Sequence, residues 1–149
     1  MFTTQVPATS YSGADELGVK FQSTLAGHIS GPRYYRIAGE TGTHVGHLWS
    51  ATGTLLGTVT FTGETATGWQ SASFATPTAI SANTTYVASV NGNTALGYTY
   101  YGLSTSVSNG SLSTVADGHN GVYSTARSTF PATGTAGTNY FRDVIFIVP

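Results

Sequence analysis

At 149 residues the chain fits one domain, long enough to bury a core without staples. It has no cysteine, which excludes disulfides, thiol chemistry and Cys-ligated zinc. Only 7% of its residues are charged, five Lys/Arg against six Asp/Glu, so it has little means of gripping phosphates, and neither nucleic acid nor an anionic membrane is expected as a partner.

The opening MFTTQVPATSYSG lacks the basic and apolar segments of a signal peptide. No apolar run approaches the roughly 18–20 residues needed to span a bilayer. Residues 1–16 are expected to form an N-terminal arm and residues 17–149 a single β domain. The Met start without a leader favours a protein made whole in the cytoplasm over a module cut from a longer secreted chain. Leu17, Val19 and Phe21 alternate with Gly18, Lys20 and Gln22, the period of a half-buried strand. Pro32 interrupts the next strand-like run, which predicts a bulge or an edge position there. Further strands are predicted over residues 44–49, 55–61, 69–74 and 85–90. The last, residues 140–148, is the most apolar and is expected at the centre of a sheet. Gly31-Pro32, Thr52-Gly53, Gly63-Glu64, Asn91-Gly92-Asn93, Asn109-Gly110 and Asn120-Gly121 read as reversals. No helical periodicity survives beyond one turn. Short strands at intervals of roughly 8–12 residues predict an all-β, antiparallel β-sandwich of jelly-roll-like form. Residues 94–138 are the least regular and are expected to carry the longer, functional loops.

Catalytic chemistry finds little support. His44 and His47 lie three apart on a predicted strand and so face opposite ways, a poor geometry for holding a metal together. His28 and His119 read as isolated loop residues. A glycosidase needs two carboxylates about 5–10 Å apart in a cleft, and nothing in the spacing brings Asp117 and Asp143 together. Asp143, set in an apolar strand, reads as a buried structural carboxylate with Arg33 or Arg36 as partner. Asp117-Gly118 reads as a turn. No nucleophile elbow of the G-x-S-x-G kind is present. No catalytic residue, metal ligand or cofactor is therefore assigned.

The aromatic residues are the stronger lead. Tyr98, Tyr100 and Tyr101 cluster in GYTYYG, with Tyr123 and Phe130 in later loops. Exposed tyrosines stack on the apolar faces of sugars and offer a hydroxyl for hydrogen bonding. Tyr98, Tyr100, Tyr101, His119, Asn120 and Tyr123 are the candidate carbohydrate-binding residues, with Asn93 as a further polar contact. Strands favour tyrosine in any case, so core packing is the competing reading of the same rings. Trp49, Trp69, Phe61, Phe74, Tyr86, Val144 and Phe146 are expected in the core.

The stretch GETGTHVGHLWSATGTLLGTVTFTGET, followed by GWQSASFATPTAISANTTYVAS and later by ADGHNGVY and TNYFRDVIF, resembles a bacterial domain-of-unknown-function family. Its members occur beside immunoglobulin-like and carbohydrate-active domains in large extracellular proteins. The likeness runs from about Leu17 to Phe146 and is weakest over residues 92–112. It implies a jelly-roll-like sandwich with a non-catalytic, glycan-related accessory role. An extracellular binding fold without an export signal suggests a bacteriophage virion, released by lysis. The expectation is thus a non-catalytic virion surface protein, a capsid decoration or tail-associated protein with weak host-glycan binding. Its partners would be a capsid or tail protein, further copies of itself and cell-surface polysaccharide. The alternative is an extracellular carbohydrate-binding module of a secreted polysaccharide-active enzyme or adhesin.

Overall fold

Alternating apolar and polar residues, broken by glycine-bearing turns, fold the chain into strands with no helix. The computed structural model describes residues 1–149. The chain begins with β1 (Thr9–Tyr11), β2 (Glu16–Ser23), β3 (Gly27–Arg36), β4 (Val45–Ser50) and β5 (Leu55–Thr60). It continues with β6 (Gly68–Ser71), β7 (Thr78–Ile80), β8 (Tyr86–Asn91), β9 (Leu96–Tyr98) and β10 (Ser108–Asn109). It ends with β11 (Leu112–Thr114), β12 (Gly121–Ser124), β13 (Thr133–Gly134) and β14 (Arg142–Ile147).

The larger sheet runs β10-β11-β2-β8-β4-β5, with β12 also paired to β2 and β13 lying outside β12. The smaller runs β14-β3-β6, with β7 also on β3, and β1 and β9 form a separate ribbon. All pairings are antiparallel. The chain passes between the two main sheets repeatedly, from β2 to β3, back to β4, and again after β5, β7 and β13. This is the jelly-roll-like sandwich that the alternation predicts.

Val19 and Phe21 point inward beside Leu48, Tyr86 and Ala88 of the same sheet, facing Ile29 and Val144 of the other. Each of the Val, Leu, Ile and Phe side chains contributes about 1.5–3 kcal/mol by leaving water. Truncating the fully buried Phe21 to Ala would cost about 3–5 kcal/mol. Trp49, Phe61, Phe74, Tyr86 and Val144 are buried as expected, and Trp69 and Phe146 pack half-buried against the core. Residues 1–16 lie against the sandwich: Met1 and Phe2 join the main core, and Tyr11 belongs to β1.

Four sequence expectations need correction. β14 is an edge strand, paired only with β3. Its apolar character comes from Val144 and Phe146 packing on the core, and β3 is central because β14 covers one side while β6 and β7 share the other. Gly31-Pro32 is not a reversal but lies within that central strand. Pro32 is accommodated between the part of β3 that pairs β7 and the part that pairs β6, next to a bulge where the register shifts between Ile145 and Phe146. Gly31 is required because a β-carbon there would collide with the Ala72 carbonyl. Asn120-Gly121 opens β12 instead of turning, and its glycine admits the Thr138 carbonyl. His28 is exposed on β3, not in a loop.

Asp143 is fully buried, as its setting predicts. The N-terminal ammonium lies 2.7 Å from Oδ2, and the backbone N–H groups of Phe2 and Val144 donate to the carboxylate over 3.0 and 2.8 Å. Arg33 approaches to 3.5 Å. Arg36 is committed elsewhere, donating to the carbonyls of Glu40 and Thr65.

Candidate functional site: a tyrosine-lined cleft

The β1–β9 ribbon places Thr9 opposite Tyr98 and Tyr11 opposite Leu96. Alternation along β9 buries Leu96 and leaves Tyr98 half-buried at the surface. The chain then turns through residues 99–102, pinned by a bridge between Thr99 and Asn139, with Tyr101 at φ 56°. The turn leaves Tyr100 and Tyr101 exposed. Tyr11 meets Tyr98 edge-on at 5.5 Å between centroids, and Tyr98 meets Tyr100 edge-on at 4.9 Å. Both geometries suit the ring quadrupole.

These rings form one wall of an open cleft of about 380 Å³, lined by Tyr11, Asp15, Tyr98, Tyr100, Tyr123, Thr135, Thr138 and Tyr140. The size suits a small-molecule site. The Tyr11 hydroxyl donates to Asp15 Oδ2 over 2.7 Å, and Tyr140 and Thr135 share a hydroxyl bond of 3.0 Å. Burial, then the bond to Asp15, pushes the Tyr11 hydroxyl well above the usual phenol range. Burial also raises Tyr140, and the neighbouring Tyr100 hydroxyl raises Tyr98. All three therefore remain neutral phenols, the Tyr11 proton committed to Asp15. Asp15 is the one carboxylate among the lining residues.

Two buried charges brace the cleft from behind. Glu40 Oε1 accepts the Asn93 N–H at 2.7 Å, and Oε2 accepts those of Thr94 and Ala95 at 3.0 and 2.6 Å, which fixes the segment entering β9. His44 Nε2 lies 2.8 Å from the same carboxylate. Burial alone would raise Glu40, but the His44 bond and the three backbone donors outweigh it and hold the carboxyl at about 2. His44 Nδ1 reaches Glu64 at 2.9 Å, and Glu64 also accepts from the Tyr34 hydroxyl. Arg142 is buried behind Tyr140. It donates to the Tyr140 carbonyl at 2.8 Å and to the Val90 carbonyl at 3.1 and 3.2 Å, with its guanidinium over the Tyr34 ring. Burial lowers its pKa.

Of the sequence candidates, Tyr98, Tyr100 and Tyr123 converge on the cleft. Tyr101 stands beside Tyr100 at 6.4 Å, outside the lining. His119 is exposed in the Asp117–Gly118 turn, its N–H bonded to Asp117. Asn120 is fully buried and donates to the Leu103 carbonyl, bracing the loop instead of facing a ligand. Asn93 donates to the Thr41 and Thr43 carbonyls of the loop between β3 and β4 and accepts from Arg127, and Phe130 packs on Trp49. Sequence reasoning missed Tyr11, Asp15, Thr135, Thr138 and Tyr140. An aromatic residue in the polar stretch TSYSG was the one available signal for Tyr11. His47 pairs with Glu16 and His44 with Glu40 and Glu64, so the two histidines have separate partners.

Fold and site together define an all-β antiparallel sandwich carrying an aromatic, charge-poor cleft. Residues 2–142 match the family model described as Domain of unknown function (DUF4082), and the chain belongs to that family. No curated protein matches it.

Proposed function

We propose that this protein is a non-catalytic carbohydrate-binding module whose ligand lies in the tyrosine-lined cleft. The convergence of Tyr11, Tyr98, Tyr100, Tyr123 and Tyr140 from strands and turns distant in sequence is the observation that carries the reading. Ring faces stack on sugar C–H surfaces, while the neutral hydroxyls and the threonines supply directional contacts. A single carboxylate, already bonded to Tyr11, supports binding over glycoside hydrolysis, which calls for two. The expected settings, a bacteriophage virion surface or a bacterial extracellular chain beside carbohydrate-active domains, would use such a cleft in the same way.

A glycan array of bacterial and plant polysaccharides, read with the wild type and Tyr100→Ala, tests the proposal. Tyr100 is 65% exposed, so its truncation should leave the fold intact. Affinity should fall about 10-fold or more, within the roughly 1–3 kcal/mol of a stacking hot spot. Wild-type protein that binds no glycan, or a Tyr100→Ala variant that binds as well as wild type, would refute it.

A further inference from the structure

Charge is distributed unevenly around the cleft. Asp15 is its only charged lining residue, and it sits in a wall of five tyrosines. Its position is fixed by backbone: the Asp15 carbonyl accepts the Gly92 N–H at 2.8 Å, and the next residue opens β2. Oδ2 receives the Tyr11 hydroxyl, Oδ1 makes no hydrogen bond within the protein, and the residue is only half-buried.

All five cationic side chains are engaged elsewhere. Lys20 pairs with Asp117, Arg33 bonds the Phe2 carbonyl, and Arg36 bonds the Glu40 and Thr65 carbonyls. Arg127 bonds Asn93. Arg142, the one nearest the cleft, spends its donors on the Val90 and Tyr140 carbonyls behind the wall. An anionic sugar entering here would meet a carboxylate and electron-rich ring faces with no cationic side chain in the lining, Arg142 acting only from behind the wall. A protonated amine would meet the reverse, a free carboxylate oxygen and rings that attract cations.

We infer that the cleft takes an amino sugar, its ammonium held between Asp15 and the rings of Tyr11, Tyr98 and Tyr100, and turns away uronates and other anionic sugars. The inference rests on the glycan-binding reading above and adds the charge of the ligand.

Calorimetric titration with three soluble oligosaccharides of equal length tests it: chitotetraose as the free amine, the same tetramer fully N-acetylated, and a tetra-uronate. The titration is run at a pH where the amine is protonated. The free amine should bind about tenfold more tightly than the acetylated form, with the uronate weakest. The preference should shrink as salt rises. Asp15→Asn should bring the amine and acetyl affinities together. Tyr11→Phe, which removes the hydroxyl from Asp15 but keeps the carboxylate, should preserve the preference; circular dichroism and thermal melting check that both variants fold. Acetylated tetramer binding as tightly as the amine, or an amine preference that survives Asp15→Asn, overturns the inference and leaves the glycan reading standing. If none of the three binds and the glycan array is also blank, both fall.

Discussion

Glu40 links the chemistry of one side chain to the shape of the cleft. Its carboxylate gathers the N–H groups of Asn93, Thr94 and Ala95, and its folded pKa of about 2 lies below the ordinary value of 4.5. A depressed carboxyl contributes stability above its unfolded pKa and loses it as pH falls through the folded one. The thermal midpoint should therefore hold down to about pH 5 and then fall between about pH 4.5 and pH 2. Glu40→Gln should be less stable at neutral pH and flatter across that acid window; a pH series of melting curves for the two proteins checks both. Arg142 differs in kind, because it is a buried cation held by carbonyls and a tyrosine face with no carboxylate bonded to it. Arg142→Met would remove the donor of the Tyr140 carbonyl and strip the Val90 carbonyl of its contacts beyond the β2–β8 ladder. It should cost about 1–3 kcal/mol, seen in urea as a lower midpoint with an unchanged slope.

At the scale of elements, the segment after β12 lies across the outer face of the larger sheet. Glu16 and His47 project onto that face from β2 and β4, and Ser89 joins them from β8. Glu16 Oε2 accepts the Ser128 N–H at 2.8 Å, and Phe130 packs edge-on against Trp49 at 5.7 Å. Glu16→Ala would remove the anchor, so trypsin should cut after the exposed Arg127 faster than in wild type while the core strands stay intact, as mass spectrometry of timed digests would show. The same comparison of near and distant contacts explains what the sequence made legible. Strands such as β2, β4, β5 and β8 were readable because alternation is local. Tyr98, Tyr100 and Tyr123 were readable because a Gly-flanked tyrosine run stands out. Tyr11, Asp15 and Tyr140 were not, since only the β1–β9 register and the Thr99–Asn139 bridge bring them to the site. The edge position of β14 was hidden for a related reason: apolar composition reports burial, and here the core buries an edge strand as well as a central one.

For the molecule as a whole, scarce charge leaves the sheet edges lightly guarded. β5 closes one edge of the larger sheet with LLGTVT, a six-residue strand without a charge or a proline. Natural edges usually carry such guards against pairing with another copy. Concentrated protein should therefore self-associate along β5, and Thr60→Lys, at an exposed position, should suppress this in light scattering while leaving the melting temperature nearly unchanged. The opposite end of the sandwich is settled in advance. With residues 93–95 clamped to Glu40 and Thr99 bridged to Asn139, the aromatic wall stands assembled before any visitor arrives. Capture by such a wall needs no rearrangement, so stopped-flow tyrosine fluorescence should follow a single exponential whose rate climbs linearly with ligand concentration.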